Sequence, residues 1–420
     1  MSLNNKYNYR HKKTNLNYNY SKPLKRGKNY KRYMAFSLII LSLLIVVFAF
    51  VKPLPHITAQ SNSITIASIG GNQMPWPSTG NSAIGAQYFG PLLSNNDDSS
   101  VPIASTAKIF TALLINNKNP IKGDVDKLVI DNHDVQIMQE YISKNGSILP
   151  VNIGQALTQK EAMQALLIIS ANNIADTLAI KTFGSIDAYV SYANTTLKEW
   201  GFVNTNIADA SGYSALTKST ASELVKAADM LISNPDLAQI VNTAQIESAN
   251  IGIIQNTNKI LGTNGVIGIK TGNTDEAGGC FVLAQKITLA EGQIVTMLVA
   301  VLNQYNVPDA IVQSLNLSQA ASAGFAYKTI ISKDQVVNQY VTNWGESYDV
   351  VTKDDTKATI WQWKETVLPI QSKILSANHS INEPVGVIEV KSNNTSSTTQ
   401  LVLNTKIEKP SIMWRFTNII

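Results

Sequence analysis

The sequence is poor in the residues that cross-link a chain or bind metals. It has one cysteine, Cys280, and four histidines, of which His11 lies near the N-terminus. A single thiol forms no internal disulfide, so core packing must stabilise the fold. The histidines are not grouped with other metal-ligating side chains at the spacing of a zinc site. We therefore expect no structural disulfide, no metal and no cofactor.

Acidic residues are absent from residues 1–33, which contain ten Lys or Arg. The remaining residues have 24 Lys or Arg and 29 Asp or Glu, so the net charge of +5 comes from this tail. The tail is polar and has no apolar periodicity, which predicts a disordered basic segment. A basic tail could bind nucleic acid. Next to an apolar segment it is better explained by membrane topology or anionic lipid, so we expect no nucleic-acid partner.

Charge of either sign is absent from Met34 to Val51. These 18 residues would rise about 27 Å as a helix, close to the thickness of a bilayer core. Residues 34–51 are apolar on every face, which favours a membrane segment over a buried core helix. The cationic flank stays in the cytoplasm, which places residues 52–420 outside. Small Ala59 is too far away to suggest cleavage, so we expect an uncleaved single-pass anchor in the cell membrane.

The next part of the chain alternates between helical and strand patterns. Residues 52–62 read as a linker, and residues 63–69 as a first strand. A helix is predicted to begin at Ser105, and Thr158-x-x-Glu161 is a capping box that starts another helix. Further helices are predicted to end near Gly184, Gly201 and residue 232.

Strand patterns return in the second half of the chain. Strands are predicted at 264–270, 279–288 and 294–303, followed by a helix at 309–330. Helices flanked by strands predict an α/β (α+β) domain over residues 63–332, with one sheet and covering helices. Short strand-like runs predict a small all-β domain over residues 335–410. The tail at 411–420 reads as a last strand or as an apolar segment that touches the membrane.

Ser105 and Lys108 are the first candidates for chemistry. A serine hydroxyl is a weak nucleophile until a base accepts its proton. A spacing of three residues puts both side chains on one face of a helix. Lys108 can act as a base only when it is neutral, and burial or a neighbouring cation would lower its pKa. Alone, the pair is better explained as a helix cap and a solvated lysine.

Two further motifs change that interpretation. Ser170-Ala171-Asn172 lies at a break between two predicted helices, where ordinary capping is the alternative explanation. Lys270-Thr271-Gly272 lies in a predicted strand, where Gly272 would allow close approach of a ligand. Each motif is weak alone, but the ordered set in a helix, a loop and a strand favours catalysis.

The ordered set resembles that of the serine penicillin-recognising enzymes. More narrowly, it resembles the D-alanyl-D-alanine carboxypeptidases, the low-molecular-mass penicillin-binding proteins. The segments "GIKTGNTDEAGGCFV" at 268–282 and "ADASGYS" at 208–214 carry the narrower resemblance, which covers about residues 63–330. It implies a penicillin-recognising fold of an antiparallel sheet flanked by helices, with a helical subdomain. It also implies a peptidoglycan stem peptide ending in D-Ala-D-Ala as substrate and β-lactams as covalent inhibitors.

The same resemblance implies a role for each motif residue. Ser105 would be acylated by the penultimate D-Ala carbonyl, with Lys108 as its base. Ser170 would relay protons, and Asn172 would hold the peptide backbone. In the third motif, Lys270 would set the local potential, Thr271 would bind the terminal carboxylate, and Gly272 would permit close approach. The backbone N–H groups of Asn273 and Ser105 would form the oxyanion hole.

Two other functions remain open at this point. A β-lactamase of class A needs a Glu that activates the deacylating water, and residues 196–210 contain no Glu-x-x-Leu-Asn. The sequence departs from related enzymes in two places. The second motif is Ser-Ala-Asn, where many β-lactamases have Ser-Asp-Asn. Before the first motif, a long loop with Met74, Trp76 and Pro77 replaces the compact hairpin of common family members. A non-catalytic wall-binding protein of the same fold is the other possibility, and the intact nucleophile and lysines argue against it.

Overall fold

The fold is described from a computed structural model for residues 29–71, 73–122, 127–377, 379–392 and 395–418. Most of the predicted basic tail therefore lies outside the described residues. The first helix, α1, spans Tyr30–Val51 and includes the predicted membrane segment. Almost all of its side chains are exposed, and it is long and apolar enough to cross a membrane. A core helix would be buried, and a signal sequence would pass the same test of length and composition.

The strands and helices between residues 81 and 322 form one α+β unit. Its strands are β2 (Asn81–Ala86), β3 (Gly90–Asn95), β4 (Val101–Pro102), β5 (Lys127–Val129), β6 (Ala156–Thr158), β7 (Lys218–Ser219), β8 (Gln245–Ser248), β9 (Gly252–Gln255), β10 (Val266–Thr274), β11 (Gly278–Thr288) and β12 (Ile294–Gln304). Its helices are a 3₁₀ turn at Ala104–Ala107, α2 (Lys108–Lys118), α3 (Asn132–Ser143), α4 (Gln159–Ile168), α5 (Asn172–Phe183), α6 (Ile186–Glu199), α7 (Ala221–Ser233), α8 (Pro235–Val241) and α9 (Val307–Ser322).

An antiparallel sheet with the order β10-β11-β12-β2-β3 forms the centre of this unit. Alternate side chains of β11 point to opposite faces. Val282 and Ala284 join the core shared with α2, α4, α5 and α7, while Phe281 and Leu283 pack in the core shared with α9. Both faces of the sheet are therefore buried, which explains why β11 and β12 are almost continuously apolar. The α+β class predicted from the sequence is confirmed.

The rest of the chain forms a β-rich unit. Its strands are β13 (Phe325–Ile331), β14 (Val336–Val341), β15 (Ser347–Thr352), β16 (Thr356–Trp361), β17 (Thr366–Ser372), β18 (Pro384–Ser392) and β19 (Thr395–Leu403). Within the described residues, a sheet with the order β1-β17-β18-β19-β15-β14 encloses a separate apolar core, where β1 is Ser63–Ile66. A short helix, α10, spans Ile412–Thr417.

Three predictions about elements need correction. The strand predicted at 63–69 exists, but β1 pairs with β17 in the C-terminal sheet and not in the sheet of the α+β unit. The helix predicted at 309–330 ends at Ser322, and residues 325–331 form a strand that pairs with β16. The last segment forms a helix, so its reading as a strand is wrong.

Candidate active site

Ser105 lies in the 3₁₀ turn that leads into α2, and Lys108 is the first residue of that helix. Lys108 Nζ is 2.8 Å from Ser105 Oγ. The lysine side chain is fully buried, whereas the serine is only half-buried. The apolar residues of α2 anchor the helix in the core, which fixes the lysine beside the half-buried serine. The structure thus brings the first pair of predicted residues into direct contact.

Two carbonyl oxygens complete the environment of Lys108. Its Nζ donates to Asn172 Oδ1 at 2.6 Å and to the Ser211 backbone carbonyl at 2.6 Å. A neutral amine has two N–H groups and one lone pair. Because neither carbonyl oxygen can donate, they take the two N–H groups and leave the lone pair directed at Ser105. The arrangement suits a lysine that accepts the Ser105 proton.

Burial lowers the pKa of Lys108 to about 7, although the negative charges of Asp209 and Asp176 act in the opposite direction. Burial also lowers the pKa of Lys270 well below its usual value, and the nearby Lys108 charge lowers it further. A buried ammonium loses hydration that the protein only partly replaces, so the uncharged form is favoured. Burial is therefore the reason that Lys108 is available as a neutral amine near pH 7.

The second motif begins directly after α4. Ser170 is buried and has a φ of 64°, in the left-handed region, where the chain turns from α4 into α5. Its hydroxyl has no hydrogen bond within the part of the chain that the structure describes. Asn172 is the first residue of α5, and its amide oxygen contacts Lys108. The structure therefore brings Asn172 to the lysine, whereas the resemblance assigned it to the substrate backbone.

The third motif lies along β10, at the edge of the sheet beside the 3₁₀ turn. Lys270 is buried and donates to the Thr271 carbonyl at 2.9 Å, and the Thr271 hydroxyl lies 2.9 Å from that of Thr257. A Cβ atom on Gly272 would lie 3.0 Å from the backbone nitrogens of Ser105 and Thr106. Only glycine lets the strand come this close to the nucleophile, and exposed Asn273 follows at the open end.

A second layer of polar residues lies behind Lys108. The Tyr141 hydroxyl of α3 is 3.0 Å from Ser211 Oγ and 2.8 Å from Asp176 Oδ2, and Ser211 Oγ donates to Asp209 Oδ2 at 2.7 Å. The sequence indicated the segment 208–214 only through its resemblance to the carboxypeptidase family. Tyr141 and Asp176 were missed. The signal available for Asp176 was its position one helical turn after Asn172.

The fold and the Ser105–Lys108 pair define the class of penicillin-recognising serine hydrolases. A profile of the D-alanyl-D-alanine carboxypeptidase family matches residues 90–303, about half of the chain. The chain belongs to this family of serine peptidases, as its motifs predicted.

Similar proteins include a D-alanyl-D-alanine endopeptidase of Pseudomonas aeruginosa, 27% identical over 52% of this chain and 71% of that protein. A D-alanyl-D-alanine carboxypeptidase of Bacillus subtilis is 28% identical over 46% of this chain, and the match spans half of that relative.

Solved structures agree on the fold. Penicillin binding protein 5 from Haemophilus influenzae has a TM-score of 0.57 at 17% identity, covering 81% of this chain and all of that chain. A Streptomyces DD-transpeptidase has a TM-score of 0.54 at 21% identity, covering 60% of this chain and all of that chain.

Proposed function

We propose that this enzyme removes the terminal D-alanine from peptidoglycan stem peptides through an acyl-enzyme on Ser105. The contact between Lys108 Nζ and Ser105 Oγ carries the proposal, because it joins a nucleophile to a buried base. Family membership supplies the substrate class, a peptide ending in D-Ala-D-Ala. Ordinary β-lactams would acylate the same serine.

In the first step, neutral Lys108 accepts the Ser105 proton while Oγ attacks the carbonyl carbon of the penultimate D-Ala. Negative charge develops on the carbonyl oxygen, and the backbone N–H groups of Ser105 and Asn273 are the proposed donors to it. The position of Gly272 against the Ser105 nitrogen supports this assignment, because β10 and the 3₁₀ turn, which carry the two proposed donors, are in contact there.

The tetrahedral intermediate then breaks the C–N bond, and the leaving D-Ala amine takes a proton that began on Ser105 and passed through Lys108. Ser170 is the proposed relay for this proton. Thr271 and Lys270 are the proposed partners of the terminal carboxylate, with Gly272 giving it access. Water then attacks the ester, with Lys108 as base again, and releases the shortened peptide and free Ser105.

Fluorescent penicillin tests the nucleophile. We expect a covalent adduct on the intact protein, located at Ser105 by mass spectrometry and absent from Ser105→Ala. Ser222→Ala is the control, because it removes another serine hydroxyl at the start of α7 and should label like wild type. Intact folded protein without an adduct would refute the proposal.

D-Ala release from a peptide ending in D-Ala-D-Ala tests the reaction itself. Release that depends on Ser105 supports a carboxypeptidase. Labelling without release would instead indicate a penicillin-binding protein that does not hydrolyse this peptide. Rapid nitrocefin turnover would indicate a β-lactamase.

We also propose that α1 remains in the cell membrane as an uncleaved anchor and that residues 52–420 lie outside the cytoplasm. The exposure of nearly every apolar side chain of α1 supports an environment of lipid for this helix. Membrane fractionation with protease protection on intact cells tests both parts of this proposal.

A further inference from the structure

Four oxygen-bearing side chains form a chain behind Lys108 that the proposed acylation does not use. Asp209 Oδ2 lies 2.7 Å from Ser211 Oγ, Ser211 Oγ lies 3.0 Å from the Tyr141 hydroxyl, and that hydroxyl lies 2.8 Å from Asp176 Oδ2. Ser211 and Tyr141 are buried, and the two carboxyl groups are partly buried. All three oxygen–oxygen distances are within hydrogen-bond range.

When both carboxyl groups are ionised, the four side chains have too few hydrogens to make a hydrogen bond at each of the three contacts. Ser211 and Tyr141 each have one hydroxyl hydrogen, and an ionised carboxylate has none. One of the three contacts would then join two oxygens with no hydrogen between them. A third proton, carried by one carboxyl group, completes the chain.

Asp209 is suited to the ionised form. Besides the Ser211 hydroxyl it accepts hydrogen bonds from the Thr217 hydroxyl at 2.5 Å and from the Tyr213 backbone N–H at 2.8 Å, so both of its oxygens have donors. A carboxylate with several donors is stable as an anion.

Asp176 is in the opposite situation. Its Oδ2 contacts the Tyr141 hydroxyl, and its Oδ1 is buried without a hydrogen-bond partner among the described residues. A buried carboxylate with one donor would be poorly compensated, whereas a neutral carboxyl group loses much less on burial. The third proton therefore belongs to Asp176.

We propose that Asp176 is a positioning residue that works as a protonated carboxyl group: it donates to Tyr141, which donates to Ser211, which donates to Asp209. This chain fixes the residue whose backbone carbonyl accepts a hydrogen bond from Lys108. The inference rests on the role proposed for Lys108. Asn172 and Asp176 are one turn apart on α5, so this helix positions both carbonyl acceptors of the lysine, one directly and one through Tyr141.

Electrostatics agree with this proton count. Burial, together with the Asp209 charge, raises the pKa of Asp176 to about 7 against the opposing effects of Tyr141, Lys108 and Lys144. Tyr189 on α6 also interacts with the Asp176 charge, whereas Asp134 on α3 pairs with Lys181 and Thr177. An ionised Asp176 would raise the pKa of Lys108, so a neutral one keeps the lysine available as a base.

Two substitutions at Asp176 distinguish a role as hydrogen-bond donor to Tyr141 from a role as a charged carboxylate. In the full chain, Asp176→Asn keeps an N–H donor for Tyr141, and we expect penicillin acylation at pH 7 within about threefold of wild type. Asp176→Ala removes the donor, and we expect acylation to fall about tenfold or more. Tyr141→Phe keeps the ring but breaks the chain and should match the alanine variant. An asparagine variant as slow as the alanine variant would overturn the proposal.

Tyr340→Phe is the matched control for Tyr141→Phe. Tyr340 is also buried, and its hydroxyl donates to the Lys373 carbonyl at 2.6 Å in the β-rich unit. It should lose stability on losing this hydrogen bond but acylate at the wild-type rate. If both tyrosine variants slow acylation equally, the effect is one of general stability and the proposal fails.

Infrared spectroscopy detects the proton without any catalytic turnover. We expect a carboxylic-acid carbonyl band that titrates near neutral pH in wild type, is absent from Asp176→Asn and shifts in Tyr141→Phe. No such band in the wild-type protein would overturn the assignment. Because this readout needs no acylation, it stays decisive even if Ser105 proves not to be the nucleophile.

Discussion

Lys108 shows how much of the site can be predicted at the scale of single residues. The spacing of Ser105 and Lys108 predicted their contact, and the chemistry required a neutral amine. The sequence could not say whether burial or a neighbouring cation lowers the lysine pKa. Burial lowers it, and burial depends on the packing of distant segments around α2. Tyr141 was not predicted as a site residue for the same reason, because only the fold brings it to Ser211.

The rate of acylation should follow the titration of Lys108. Its pKa is lowered to about 7, so the neutral base is the minor form below that pH and the major form above it. We expect the second-order rate constant for penicillin to rise with pH as Lys108 becomes neutral and to fall again above about pH 8, where Asp176 is ionised. Stopped-flow or quenched labelling from pH 5.5 to 9 measures this profile. A midpoint near the usual lysine pKa would contradict a buried neutral base.

At the scale of elements, the ends of helices were predicted best where capping residues mark them. The capping box at Thr158 and Glu161 is present, and α5 ends at Phe183, directly before Gly184, whose φ is 94°. Strands β2 and β3 and helix α3 were missed. The helix predicted beyond Ser322 was wrong because residues 325–331 gain strand pairing with β16, a partner that local periodicity cannot reveal.

Loss of the capping box should destabilise α4 without changing the chemistry. Thr158 Oγ1 accepts from the Glu161 N–H at 3.1 Å, and Glu161 accepts from the Thr158 N–H at 2.8 Å. Thr158→Ala should cost about 1 kcal/mol of unfolding free energy. Thermal or denaturant unfolding measures this, with Thr195→Ala on the exposed face of α6 as control. Equal stability of the two variants would show that the cap contributes nothing.

A methyl group on Gly272 should separate β10 from the 3₁₀ turn. Its Cβ would lie 3.0 Å from two backbone nitrogens, which cannot move as a flexible side chain can. We expect Gly272→Ala to slow acylation about tenfold or more, because oxyanion-hole geometry tolerates little displacement. Gly71→Ala, which meets the Trp363 ring at 3.3 Å, is the control. Wild-type labelling by Gly272→Ala would mean that the strand adjusts without loss.

At the scale of the whole molecule, the sequence predicted two units but not how the chain passes between them. The alternation in residues 63–69 identified a strand, yet nothing local indicated that its partner is β17. Adjacent segments pair most often, so the nearest sheet was the natural expectation. The structure places β1 in the C-terminal sheet, and the α+β unit begins only after it.

Removal of residues 1–51 should release the enzyme from the membrane and leave its site intact. Among the described residues, α1 contacts α10 and contributes nothing to the contacts around Lys108. We expect the shortened protein to be soluble, with penicillin acylation within about twofold of the full chain. Ultracentrifugation and labelling measure both. Loss of labelling with retained folding would show that α1 influences the site.

The pairing of β1 with β17 also sets an order of events during synthesis. Ser63 lies opposite Pro369, about 300 residues later in the chain. At roughly 5–20 residues per second, β1 waits on the order of 15 to 60 seconds before its partner exists. The α+β unit between them has all of its strands by then. The catalytic centre should therefore fold first. Strand β1, which follows the membrane segment, should stay unpaired until β17 has been synthesised.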